Sequence, residues 1–233
     1  MKLNKRKIFV IAVALCLVAI LSFSTLAWFT AEDEITNKFN FADSDDDDNV
    51  DFSVDVIETG DPEDDGLVFE DVLPGDVWSK DPTIKNTSSS DRYSQYIRVT
   101  LTLKDPEGAW KAAFDEGRIG RRENSQISEY PVLLNQMFKT VALVDSYPSN
   151  NGGWWLDENG YTDGEGFYWV FYYCGTLAKD QSVTLFTEVA IPTSLTVEDA
   201  NAMKSAFDVV VFAEAIQAEH TGDNAKAAFA LVD

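Results

Sequence analysis

The chain has 233 residues, with 40 Asp or Glu against 18 Lys or Arg and a formal net charge of −22. Hydrophobic residues make up 45% and aromatic residues 12%, enough to bury a core, so charge-driven disorder is excluded for most of the chain. The acidity excludes nucleic acid as a partner, because phosphate backbones are bound by Lys and Arg clusters. One His and two Cys leave little material for a zinc site, a Cys–His nucleophile or a disulfide scaffold.

Residues 1–27 read as an export signal. Lys2, Lys5, Arg6 and Lys7 precede an apolar run from Ile8 to Leu21, and Thr25-Leu26-Ala27 supplies a small-x-small end, so cleavage is expected between Ala27 and Trp28. The alternative is a retained signal anchor, since Ile8 to Phe29 is nearly long enough to span a bilayer. The small residues and the lack of a basic stop-transfer flank favour cleavage. Cleavage removes four positive charges and no negative ones, leaving 206 residues at −26 with Cys174 as the one cysteine. No intrachain disulfide can then form, a condition common among exported proteins of Gram-positive bacteria.

Residues 28–233 are expected to form a single domain. Its first part, 28–49, is an extended acidic segment, and residues 31–76 hold 18 of the 40 acids against Lys38 alone. The run Asp43-Ser44-Asp45-Asp46-Asp47-Asp48 is expected to be solvated. Val50, Phe52, Val54 and Val56 alternate with Asp51, Ser53 and Asp55, the pattern of a half-buried strand. Leu67 to Leu73 reads as a second strand, followed by a turn at Pro74-Gly75-Asp76. Val77 to Lys85 is broken by Asp81-Pro82, which predicts an edge or a bulged pair. Further strands are expected at Tyr96 to Leu103, Thr140 to Val144, Phe167 to Tyr173, Ser182 to Ile191 and Phe207 to Ile216. Helical spacing appears at Glu107 to Glu116, from a Thr196 cap to about Ala206, and at Asp223 to Leu231. Many short strands between polar turns such as Asn86-Thr87-Ser88 predict an all-β fold, a β-sandwich with short helical insertions.

Several stretches resemble the TasA/camelysin family of bacterial proteins exported with the dedicated signal peptidase SipW. Ala27-Trp28-Phe29-Thr30 and Asn37-Lys38-Phe39 are similar to its start after cleavage. Leu73-Pro74-Gly75-Asp76, Ile84-Lys85-Asn86-Thr87 and Tyr96-Ile97-Arg98-Val99 resemble its Pro-Gly-Asp turn and the two strands after it. Phe171-Tyr172-Tyr173, Leu177-Ala178-Lys179-Asp180, Leu185-Phe186, Ala213-Glu214-Ala215-Ile216-Gln217 and Ala225-Lys226-Ala227-Ala228-Phe229 continue the match in order. The turn at Ala178-Lys179-Asp180 departs by lacking both Pro and Gly, and residues 104–166 match least and read as an insertion. The resemblance implies a jelly-roll β-sandwich secreted to the cell surface, in a family whose members build biofilm matrix fibres. Other members are described as surface metallopeptidases.

The residues themselves argue against an enzyme. A zinc peptidase needs two or three His ligands with a nearby Glu, and this chain has only His220, in a turn-like stretch. No cofactor is expected, with calcium left open. Asp47, Asn49, Asp51, Asp55 and Glu58 follow EF-hand spacing, but Phe52 stands where Gly is required and the same residues alternate as a strand. Asp157, Asn159, Asp163 and Glu165, around two glycines, fit either a calcium site or an acidic hairpin loop. The aromatic stretch from Phe167 to Tyr173 reads as a central strand packed on both faces, or as an exposed ligand-binding face. The segment carrying Trp28, Phe29, Phe39 and Phe41 is the candidate assembly strand. It can complete a neighbour's sheet, or pair with its own.

The expectation is therefore a secreted cell-surface or matrix structural protein that associates with itself or with other matrix proteins, meeting a signal peptidase during export. The alternatives are a ligand- or calcium-binding surface module and a camelysin-like metallopeptidase.

Overall fold

A computed structural model describes residues 30–35, 52–59, 72–147, 152–196, 198–199, 203, 208–219 and 221–233. The fold is all-β, with antiparallel sheets and a few short helices. One sheet has five strands in the order β1-β11-β5-β8-β7, formed by Thr30–Ile35, Val209–Gln217, Gln95–Lys104, Gly166–Tyr173 and Trp154–Thr162. Facing it are two three-stranded sheets. The first is β2-β4-β9, formed by Val54–Ile57, Thr83–Asn86 and Ser182–Thr184, and the second is β3-β10-β6, formed by Val77–Ser79, Phe186–Ala190 and Phe138–Thr140.

The two small sheets are one layer with a bend. Asp81-Pro82 interrupts the strand expected over 77–85, giving β3 and β4, and the opposing chain breaks at Leu185 between β9 and β10. Hydrogen bonds carry the pairing through the break, from Lys80 N to Thr187 O (3.2 Å) and from Leu185 N to Pro82 O (3.0 Å). Proline has no N–H for a ladder, so the bend falls where the sequence places it.

β5 shows how pattern becomes layer. Its residues alternate strictly between buried and half-buried, and Ile97, Val99, Leu101 and Leu103 are all fully buried. They meet Phe167, Trp169 and Phe171 of β8, Val54 and Val56 of β2, and Phe138 and Phe186 of the bent layer in one core. Trp154 spans the layers, its indole N–H donating to the Thr184 carbonyl at 2.9 Å.

Residues 105–147 fill one end of this core. Helix α1 (Ala109–Asp115) buries Trp110, Ala113 and Phe114, as its spacing predicts. A second helix, α2 (Tyr130–Met137), buries Leu133, Leu134 and Met137, and its short apolar sequence with Pro131 near the start did not signal it. The strand expected over Thr140 to Val144 ends instead at Thr140, because residues 138–140 pair with β10 while Ala142 to Val144 turn to Trp154 of β7. Asp180 takes a positive φ of 61° in the turn without glycine, a conformation that Asp tolerates better than most residues.

The outer face of the five-stranded sheet carries a second, smaller apolar cluster. Helix α3 (Ala225–Phe229), capped by the Asn224 side chain, lays Ala225, Ala228 and Phe229 over Tyr172 and Ile216. Tyr96, Tyr147, Trp155 and Val170 border them. β8 is thus an internal strand packed on both faces, the first of the two readings given to its aromatic run.

Of the helix expected after Thr196, the described residues show a capping box: Asp199 N–H donates to the Thr196 hydroxyl (3.1 Å), and the Asp199 carboxylate accepts from Thr196 N–H (2.8 Å). The strand expected over 67–73 lies outside the described residues except for Val72 and Leu73, which are not in a strand. The Pro74-Gly75 turn is present, with Gly75 at φ 94° and the Asp76 carboxylate accepting from Leu73 N–H at 2.8 Å.

Candidate functional site

The described part of the candidate assembly strand is β1. It forms one edge of the five-stranded sheet and pairs antiparallel with β11 from Thr30↔Ile216 to Ile35↔Val211. Trp28, Phe29, Phe39 and Phe41, and the expected cleavage point between Ala27 and Trp28, lie outside the described residues, as does His220. Within the register Glu32 stands opposite Glu214, and Glu214 stands opposite Arg98 on β5.

Arg98 is the electrostatic centre of this face. Its Nε and one Nη donate to the two Glu214 carboxylate oxygens at 2.7 Å each. Both terminal nitrogens donate to Asp233, at 2.6 and 3.0 Å, and the guanidinium lies 4.4 Å above the Phe229 ring. Burial opposes the charge, but the two carboxylates more than offset it and hold the Arg98 pKa above its ordinary value. One arginine thereby ties β5, β11 and the α3 segment together.

The four hairpin residues proposed for calcium are distributed along a strand and its turn. Asp157 is the extra residue of a bulge, because Leu156 pairs with Phe171 and Glu158 already pairs with Val170. Its carboxylate is engaged by Lys226, whose ammonium lies 5.0 Å over the Trp155 ring. Asn159 stands opposite Trp169, while Asp163 and Glu165 are exposed at the turn. Six residues of extended chain put Asp157 roughly 20 Å from Asp163. Asp163 and Glu165 are brought together at the hairpin tip, and Asp157 is not. Among the described residues, no group of three or more His, Cys, Asp or Glu gathers as metal ligands would.

Of the EF-hand-like set, Asp47, Asn49 and Asp51 lie outside the described residues, and Asp55 falls on β2. Glu58 forms an ion pair with Lys80 at 2.7 Å, and both side chains are buried. Nothing in sequence separates this Glu from the other acids near it in the chain. Asp105 is a second buried acid that the sequence did not mark. Its carboxylate accepts from Trp110 N–H (3.1 Å) and Lys111 N–H (2.8 Å) at the start of α1, and from the Tyr161 hydroxyl (3.3 Å). Burial, and then the Asp105 charge, push the Tyr161 pKa up to about 12. These arrangements fix strands and helix starts, and each buried charge is matched by donors or a counter-charge.

Asn86 and Gln95 likewise act inside the fold. The buried Asn86 amide donates to the Tyr93 and Leu177 carbonyls, and Gln95 donates to Ser53 O and the Ser88 hydroxyl. Cys174 is buried and forms no disulfide. No helix among the described residues is long and apolar enough to cross a membrane. Among the described residues, β1 and β7 are the two edges of the five-stranded sheet, and the ionic row lies behind β1. Comparison with protein families, with curated proteins and with solved structures found no match to this chain.

Proposed function

We propose that this chain is an exported cell-surface or matrix structural protein that assembles with copies of itself by strand addition. The observation carrying this reading is the place of β1. It is the first strand after the expected cleavage point, it lies at a sheet edge, and six consecutive residues pair with β11. A β1 from a neighbouring copy meets the same backbone donors and acceptors on β11, so pairing within one chain and between chains is chemically equivalent. The resemblance to exported matrix proteins in the TasA/camelysin family supports the same reading.

A jelly-roll description of the fold belongs with this proposal. Its support is strand order: β1 and β11 lie side by side, followed by β5 and β8, with β3/β4, β9/β10 and β6 neighbouring one another in the facing layer. The action is mechanical and needs no chemical turnover. Negative-stain microscopy of the exported chain tests the function. Fibres are expected as concentration rises, and a chain that stays monomeric throughout contradicts it.

A further inference from the structure

We propose that the segment 221–233 is an exchangeable clasp: the face it covers on the five-stranded sheet is also a docking site for the same segment of a second copy of this chain. The face is formed by Tyr172 and Ile216, bordered by Tyr96, Tyr147, Trp155 and Val170. It is separate from the main core, so lifting the segment leaves the facing layers packed. Without a cover it is an aromatic patch in water, the kind of surface that recruits a partner.

Nearly all that holds the segment is contact with that face. Asp233 is gripped by Arg98, and Phe229 lies beneath the same guanidinium. The Tyr147 hydroxyl donates to the Asn224 side chain at 3.0 Å and accepts from Lys226 N–H at 2.9 Å. The Tyr96 hydroxyl donates to the Gly222 carbonyl at 3.2 Å, and Lys226 pairs with Asp157. The internal order is a five-residue helix, too short to persist alone in water. Each of these contacts re-forms unchanged when the segment comes from another copy. What differs between the closed and exchanged forms is the link through Ala218 and Glu219, where Ala218 N–H meets Ser94 O. Exchange of an identical element is a low-cost route to a dimer, since the interface already exists within one chain.

This link is distinct from strand addition through β1, and complementary charge variants separate the two. In Arg98→Asp the clasp repels its own Asp233, and in Asp233→Arg it repels its own Arg98. Each variant alone remains at monomer mass, while an equal mixture shifts to twice that mass, because both exchanged pairings are attractive. The double variant R98D/D233R restores attraction within one chain and shows no such shift on its own. All of these variants are made without residues 28–41, which removes linking through β1, so the mass shift reads the clasp alone. A mixture of folded variants that keeps monomer mass overturns the proposal.

The unmodified chain provides the second measurement, which holds even if a variant fails to fold. Light and heavy isotopic copies are mixed, equilibrated and treated with a zero-length carbodiimide that joins Lys226 to Asp157. Cross-linked peptides pairing light with heavy chains are expected, and cross-links confined to a single isotope overturn the proposal.

Discussion

Lys80 and Glu58 face each other across the bend of the facing layer at 2.7 Å, with side chains only 3% and 1% exposed. The pair joins the end of β2 to the turn between β3 and β4, where Asp81 also accepts from Thr59 N–H at 2.9 Å. Removing one partner leaves an unmatched buried charge. Lys80→Met or Glu58→Gln is therefore expected to cost about 3–5 kcal/mol, whereas Lys80→Met with Glu58→Leu recovers most of the loss. Denaturant midpoints of the three variants check this, and equal losses in single and double variants would count against it.

Two glycines of the β7–β8 hairpin differ in what a methyl group would meet. At Gly166, φ is 127° and a Cβ would come within 2.0 Å of the Leu103 carbonyl oxygen. At Gly164, φ is 81° and nothing lies within 4 Å. Gly166→Ala is expected to destabilise by about 2–4 kcal/mol, through strain and displacement of β8 from β5. Gly164→Ala is expected to cost about 1 kcal/mol, from backbone conformation alone. Thermal unfolding of both variants distinguishes the two effects.

Tyrosine ionisation reports on the Asp105 corner. The fold holds the Tyr161 phenol neutral up to about 12, above its ordinary value of 10, and Tyr96, Tyr147 and Tyr168 are also raised by burial. A raised phenol contributes stability that is intact below pH 10 and is lost as pH climbs towards 12. An alkaline titration followed by tyrosinate absorbance should show a late step that Tyr161→Phe removes. Asp105→Asn should move that step to lower pH, because it deletes a charge that opposes ionisation.

Strands whose alternation met a flat neighbour on each side were legible in the sequence. β5 follows directly from Ile97, Val99, Leu101 and Leu103, and the break between β3 and β4 follows from Pro82. β7 was not legible, because Asp157, Glu158, Asn159 and Gly160 read as a loop. The strand forms because β8 supplies its partner, a bulge absorbs Asp157, and Tyr168 lies against Gly160, where a Cβ would come within 2.7 Å of its hydroxyl. Of the segment 28–41, an extended strand was legible, and β1 is its described part. Its register on β11 was not, nor was the row from Glu214 through Arg98 to Asp233, which joins residues 116 and 135 positions apart. Such pairs depend on the whole topology, which local pattern does not encode.

The proposed role of the segment around β1 is to link copies of the chain. Deleting residues 28–41 from a chain spanning residues 28–233 and examining it by negative-stain microscopy, circular dichroism and light scattering tests this most directly. The expected result is a folded chain that no longer forms fibres under conditions where residues 28–233 do. Fibres that persist after the deletion would contradict it.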